Sequence, residues 1–73
     1  MVKKPNEFLA GLVSKKVTVR MRAGEMVRGT VAAVDEHMNI SLEGAEFLSE
    51  DGAPQPAGKV HVKGENLVFL YLS

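Results

Sequence analysis

The stretch Val27-Arg28-Gly29-Thr30-Val31-Ala32-Ala33-Val34-Asp35-Glu36-His37-Met38-Asn39-Ile40-Ser41-Leu42 decides the fold. Val27, Gly29 and Val31 alternate with Arg28 and Thr30, which is the period of a half-buried strand. The apolar parity then slips to Val34, which places a bulge or sharp bend near Ala32-Ala33. Gly29 favours the same bending, because a missing side chain lets the sheet curl tightly. Asp35-Glu36-His37 is a short polar turn. A third strand follows, sending Met38, Ile40 and Leu42 inward and His37, Asn39 and Ser41 outward.

The flanks extend this pattern. Upstream, Val17, Val19 and Met21 alternate with Lys16, Thr18 and Arg20, and Arg22-Ala23-Gly24-Glu25 is a hairpin turn with glycine at a positive φ. Earlier still, Pro5, Phe8, Leu9, Leu12 and Val13 have helical spacing and predict a short helix over about 5–14, weakened by Gly11. Downstream, two prolines and two glycines make residues 49–58 a loop region between strands. Val60 and Val62 then alternate with Lys59, His61 and Lys63, and Lys63-Gly64-Glu65-Asn66 is a second tight turn. The last strand, Leu67-Val68-Phe69-Leu70-Tyr71-Leu72, is apolar at every position, a pattern that calls for burial on both faces. One face packs in the barrel, and the other needs a cover from the N-terminal helix or a neighbouring subunit. The expected architecture is all-β: a small, strongly bent, five-stranded antiparallel open barrel with a short N-terminal α-helix. Its sheet edges must be paired or protected.

Size and composition point to self-association. With 73 residues the chain is one domain over 1–73. A chain this short buries roughly 60% of its unfolded surface, which leaves a monomer marginal. Disulfides cannot make up the deficit, because there is no cysteine, and His37 and His61 alone cannot complete a zinc shell. Oligomerisation remains. No apolar run is long enough to span a bilayer and the start lacks a signal-peptide core, so a cytoplasmic protein without membrane contact or cofactor is expected.

The net charge is zero but unevenly spread. Residues 1–34 carry seven basic groups against two acids, residues 35–58 carry six acids and no Lys or Arg, and the remainder carries Lys59, Lys63 and Glu65. Such a balance argues against coating long duplex nucleic acid, which needs many phosphates neutralised. A local pocket that works by stacking and hydrogen bonds remains open to it.

At this point the residues resemble a known family. Val27-Arg28-Gly29-Thr30-Val31 followed by Val34 through Leu42 resembles the first motif of Sm-like proteins, and Val62-Lys63-Gly64-Glu65-Asn66-Leu67-Val68 resembles the second. Their expected limits are about 16–48 and about 58–72, with a variable loop over about 49–57. The chain looks most like the minimal, single-domain archaeal type, and the bacterial branch's Tyr-Lys-His signature is absent. The resemblance implies a homo-oligomeric ring, commonly of seven, in which the fourth strand of one subunit pairs with the fifth of the next. It also implies binding of single-stranded uridine-rich RNA, with RNA-processing proteins as further partners.

By position, His37 would stack on a base, Asn39 would read its edge, Lys63 would take the place of the family's Arg, Gly64 would allow close approach, and Glu65 would orient polar neighbours. Unstacked bases offer a π-face and a free Watson–Crick edge, which suits such a pocket. Lys at position 63 lacks the planar guanidinium that lies flat on a base. Without the resemblance, Asp35-Glu36-His37 is an ordinary polar turn, Lys63 and Glu65 a solvated one, and His61 plain surface. Catalysis is not expected: no nucleophile, metal set or phosphate-cradling loop accompanies Asp35 and His37. The alternative function is a ring used as a protein-assembly scaffold with little RNA binding.

Overall fold

The apolar alternation read from the sequence becomes five antiparallel strands: β1 (Lys16–Met21), β2 (Met26–Val34), β3 (Ile40–Leu48), β4 (Gln55–Val62) and β5 (Leu67–Leu72). A computed structural model of the chain describes residues 10–49 and 52–72. The strands form one sheet in the order β4-β3-β2-β1-β5, with β4 and β5 at its edges. The sheet is not closed, so among the described residues each edge strand is paired on one side only.

Two register shifts bend β2 against β3. Arg28 pairs with Glu46 but Thr30 pairs with Glu43, so β3 carries an extra residue there, at Gly44 or Ala45; Gly44 has φ +56°. Val31 pairs with Leu42 and Ala33 with Ser41, leaving Ala32 as the extra residue on β2. This second shift lies where the sequence places it. A bulge on each strand restores the register while sharpening the local twist twice. Gly29 sits against the bulged part of β3: a Cβ there would lie 3.1 Å from the Ala45 Cα and 3.2 Å from the Glu43 carbonyl oxygen. The close approach of two backbones explains the glycine.

The inner face gathers Val17, Val19, Val27, Val31, Ile40, Leu42, Ala45 and Val62, with Leu12 from the preceding turn. Each fully buried aliphatic side chain contributes about 1.5–3 kcal/mol, and the buried valines, Ile40 and Leu42 lie on β1 to β4 in the alternation expected, whereas Ala45 turns inward only because of the β3 bulge. Thr18 is a further exception: it is an outward position by parity yet is buried.

Three expectations are corrected. Of the helix expected over about 5–14, residues 5–9 lie outside the described residues, and residues 11–14 are turn. The Val13 and Lys15 N–H groups donate to the carbonyls three residues back, and Ser14 takes a left-handed φ of +74°, which ends any helical run. The third strand starts at Ile40, because Met38 has φ +67° and belongs to the turn. The loop expected over about 49–57 is shorter, since β4 already begins at Gln55 and includes Pro56. Proline is tolerated there because β4 is an edge strand.

Among the described residues, the final strand does not find its second cover. Val68, Phe69, Tyr71 and Leu72 are 57%, 43%, 48% and 58% exposed. Phe69 and Tyr71 stack on each other with ring centroids 5.8 Å apart.

Gly29→Val tests the bending argument. The added side chain has backbone in its way, so a loss of about 1–3 kcal/mol is expected in urea unfolding. An unchanged midpoint and slope would mean that the β2–β3 approach has slack.

Candidate functional site

Asp35 organises the turn between β2 and β3. Its Oδ1 accepts from the backbone N–H of His37 at 2.8 Å and of Asn39 at 2.9 Å, and its Oδ2 accepts from the Asn39 side-chain amide at 2.9 Å. Its backbone N–H donates to the Asn39 carbonyl, and Met38 N–H donates to the Asp35 carbonyl. A short carboxylate capturing N–H groups a few residues on is a turn-forming device. Within this turn the left-handed Met38 packs its half-buried side chain against the core.

Asn39 joins this turn to the next. Its Oδ1 accepts from the Gly64 backbone N–H at 2.9 Å. Gly64 opens the 3-10 turn Gly64–Asn66 between β4 and β5. A Cβ at Gly64 would fall 2.5 Å from the His37 carbonyl oxygen and 3.0 Å from the Met38 Cβ, so only glycine lets the two turns touch. The Asn66 carbonyl then accepts from Arg22 N–H at 2.7 Å, tying the β1–β2 hairpin to the same end of the sheet.

The five predicted residues thus divide. Asn39 and Gly64 are hydrogen-bonded to each other, and Lys63 immediately precedes Gly64. His37 rides on the clamped turn but its side chain is 77% exposed, 3.7 Å from the Glu36 carboxylate. Glu65 is exposed in the first turn of the 3-10 segment. Beside Asn39 lies an open cleft of about 320 Å³, lined among others by Asp35, Asn39, Ser41, His61 and Lys63 over Ile40 and Val62; His37 is not part of its wall. Another concavity, of about 290 Å³, lies at the far ends of β2 and β3 and includes Arg20, Met26 and Leu48.

Three residues of this region were not singled out by sequence. Asp35 was legible in principle, since Asp followed by N–H groups two and four residues on is a turn signature. Ser41 and His61 were not: their contact, 3.0 Å between Oγ and Nδ1, depends on the β3–β4 register. That register follows a connection whose length the sequence does not fix.

Charge in the cleft follows from the clamp. The Asn39 backbone N–H, then its side-chain amide, with the N–H and charge of His37 adding, hold the Asp35 carboxyl below its ordinary value, against the effect of desolvation. The carboxylate is therefore ionised and occupied by three donors. Asn39 has spent one of its two amide N–H groups and one of its two oxygen lone pairs, leaving one of each for a ligand. Because Asp35 needs the NH2 and Gly64 needs the oxygen, the amide cannot flip.

Comparison with known proteins places this geometry in context. The LSM domain family matches residues 7–72. Small nuclear ribonucleoprotein F of Schizosaccharomyces pombe is 33% identical over 66 residues, 90% of this chain and 85% of its own length. The SmAP1 heptamer of P. aerophilum superposes with a TM-score of 0.87 at 30% identity, over 100% of this chain and 97% of its own. The Sm protein of Pyrococcus abyssii, solved in complex with a uridine heptamer, has a TM-score of 0.84 at 24% identity, covering 97% and 100%, a likeness of fold alone.

The clamp has a pH signature. Folding lowers the Asp35 pKa, so its contribution is complete above the ordinary aspartate value and is lost as pH falls through the lower, folded value. The Asn39 and Gly64 amide NMR shifts are expected to titrate together with a midpoint below the ordinary aspartate value. In Asp35→Asn that titration should vanish. Movement that is complete before the ordinary aspartate value is reached would show that the carboxylate is not held by these donors.

Proposed function

The chain belongs to the LSM domain family, of Sm-like proteins, and from that premise we propose that it forms a homo-oligomeric, seven-membered ring that binds single-stranded, uridine-rich RNA as an RNA chaperone or RNA-processing scaffold. The observation that carries this reading is the state of Asn39: an amide fixed at both ends with one donor and one acceptor left over. A uracil edge offers an imide N–H beside a carbonyl oxygen, and a locked amide meets that pair in one fixed order. Bases that present their donors and acceptors in another order fit less well.

His37 supplies the stacking surface in this reading. Its exposure and its place on the clamped turn leave the imidazole face open to an incoming base. Lys63 adds attraction for phosphate, Gly64 gives backbone access, and Glu65 orients the polar groups of the second turn. One such site binds weakly, and a ring repeats it.

The ring itself is supported by the edges. β4 and β5 each keep one unpaired side, and β5 carries exposed Val68, Phe69, Tyr71 and Leu72. Joining β4 of one copy to β5 of the next covers both at once, which a small domain without cysteine needs. The heptameric state of the P. aerophilum relative favours seven. The name of the fission yeast relative, a ribonucleoprotein component, favours RNA as the ligand.

A second reading rests on Lys63. A flexible point charge replaces the flat guanidinium that the family uses, which favours a protein-assembly ring with reduced RNA affinity.

Native mass tests the ring that both readings share, and RNA titration separates them. Native mass spectrometry should give seven chain masses; a folded monomer would remove the ring. Titration with labelled oligo-U and oligo-A should show preference for U. His37→Ala and Asn39→Ala should each weaken oligo-U binding with the ring intact, by about 1–3 kcal/mol per lost base contact. Lys63→Arg should strengthen it. If both alanine variants bind like the wild type and Lys63→Arg is silent, the assembly reading leads.

A further inference from the structure

The cleft continues past Asn39 along the outward faces of β3 and β4, where the base site gives way to a different set of groups. Ser41 and His61 are direct cross-strand partners, with Oγ and Nδ1 3.0 Å apart. Lys63 stands two residues further along from His61, and all three line the same wall as Asn39. Among the described residues, His61 Nε2 and the Lys63 ammonium have no hydrogen-bond or ion-pair partner. The one carboxylate in the wall, Asp35, already has both oxygens occupied. An imidazole nitrogen and an ammonium without partners, with a hydroxyl paired to the same imidazole, stand beside a carboxylate that already accepts three hydrogen bonds.

We infer that this end of the cleft is a phosphate subsite, formed by Ser41, His61 and Lys63, which takes the phosphodiester next to the base held at Asn39 and strengthens on acidification. The inference rests on the RNA-binding reading and adds the backbone contact and its regulation. The chemistry follows from the tautomer. When the imidazole is neutral, the Ser41 hydroxyl donates to Nδ1 and only Nε2–H is free for phosphate. When the imidazole gains a proton, Nδ1–H donates to Ser41 Oγ and releases the hydroxyl hydrogen. The pair then offers two donors and a positive charge in place of one neutral donor, and charge-assisted bonds to phosphate are the stronger kind. Protonation therefore changes the number of donors as well as the field.

The surroundings favour an anion. Along β4, His61 has Lys59 and Lys63 two residues away on either side; on β3 it faces Ser41, with Glu43 two residues further; across the cleft stand Asp35 and Asn39. Ala33 and Val34, from β2, are apolar. In the proposed ring, the strand joining β4's free edge is β5, whose one ionisable side chain is Tyr71. Of the two carboxylates on β3, Glu46 is ion-paired with Arg28, and Glu43 has no ion-pair partner among the described residues.

The test titrates the intact ring with fluorescent oligo-U at about pH 8 and about pH 5.5, a span over which imidazoles gain a proton. Wild-type affinity should rise by about three- to tenfold on acidification. His61→Gln, which removes the charge, should lose the rise between the two pH values, and the ratio of its affinities at the two values is the readout. Ser41→Ala should reduce the rise, and His37→Ala should keep it while binding more weakly at both values. The salt dependence of His61→Gln at the lower pH should be shallower than that of the wild type, by up to about one phosphate contact. A pH response that survives in His61→Gln, or that disappears in His37→Ala alone, overturns the subsite. Asn39→Ala separates the two levels: wild-type binding by that variant means the base site is misplaced and the subsite falls with it. A weakened Asn39→Ala beside an unchanged His61→Gln pH profile leaves the base site standing and removes the subsite. Absence of oligo-U binding by the wild type at either pH overturns both.

Discussion

Asp35 accepts three hydrogen bonds through its two carboxylate oxygens, and the functional end of the molecule is organised around it. The carboxylate closes the β2–β3 turn on itself, which forces Met38 into a left-handed conformation and starts β3 at Ile40. It also orients the Asn39 amide, whose oxygen then receives the Gly64 N–H from the turn that follows the neighbouring β4. A single ionised group therefore positions two turns that are 25 residues apart in sequence. The glycine at 64 is the steric counterpart of this bond, because any side chain would strike the His37 carbonyl before the bond could form.

The bends of the sheet serve the same end. The bulges at Gly44-Ala45 and at Ala32 curl β2 and β3 enough for one set of valines, Ile40 and Leu42 to fill the interior. Among the described residues the sheet is left unfinished at its edges. β5 contributes Leu67 and Leu70 to the core side and leaves Val68, Phe69, Tyr71 and Leu72 in the open. A stacked aromatic pair on an edge strand with one free side is an incomplete surface, and the proposed ring would supply both further hydrogen bonds and a cover. In this account the base-reading groups sit on the clamped turns, and the assembly multiplies them.

The sequence made some of this legible and hid the rest for definite reasons. The slip from Val31 to Val34 located the Ala32 bulge, because side-chain parity is a local signal. Gly24 announced its hairpin and has φ +97°. Pro56 misled: a proline beside glycines reads as loop, but an edge strand can absorb it, and edge position depends on the whole sheet. Strand alternation placed Asn39 on an outward face, whereas a turn bond and a left-handed Met38 set its direction. Asn39 and Gly64 were singled out by the motifs, but their mutual hydrogen bond was not, and neither was the Ser41–His61 contact, since each joins strands through register. Thr18 was expected outside and is buried, a consequence of neighbours on both flanking strands.

The proposed base site depends on the half-used amide of Asn39, and NMR of that side chain during titration of the assembled protein with oligo-U tests it most directly. The two Nδ2 protons should separate in behaviour. The one bonded to Asp35 keeps its shift and its slow exchange. The other moves on binding, together with the Gly64 amide. If oligo-U binds while both Asn39 protons and the Gly64 amide stay unmoved, RNA is held elsewhere on the molecule and the clamp serves the fold alone.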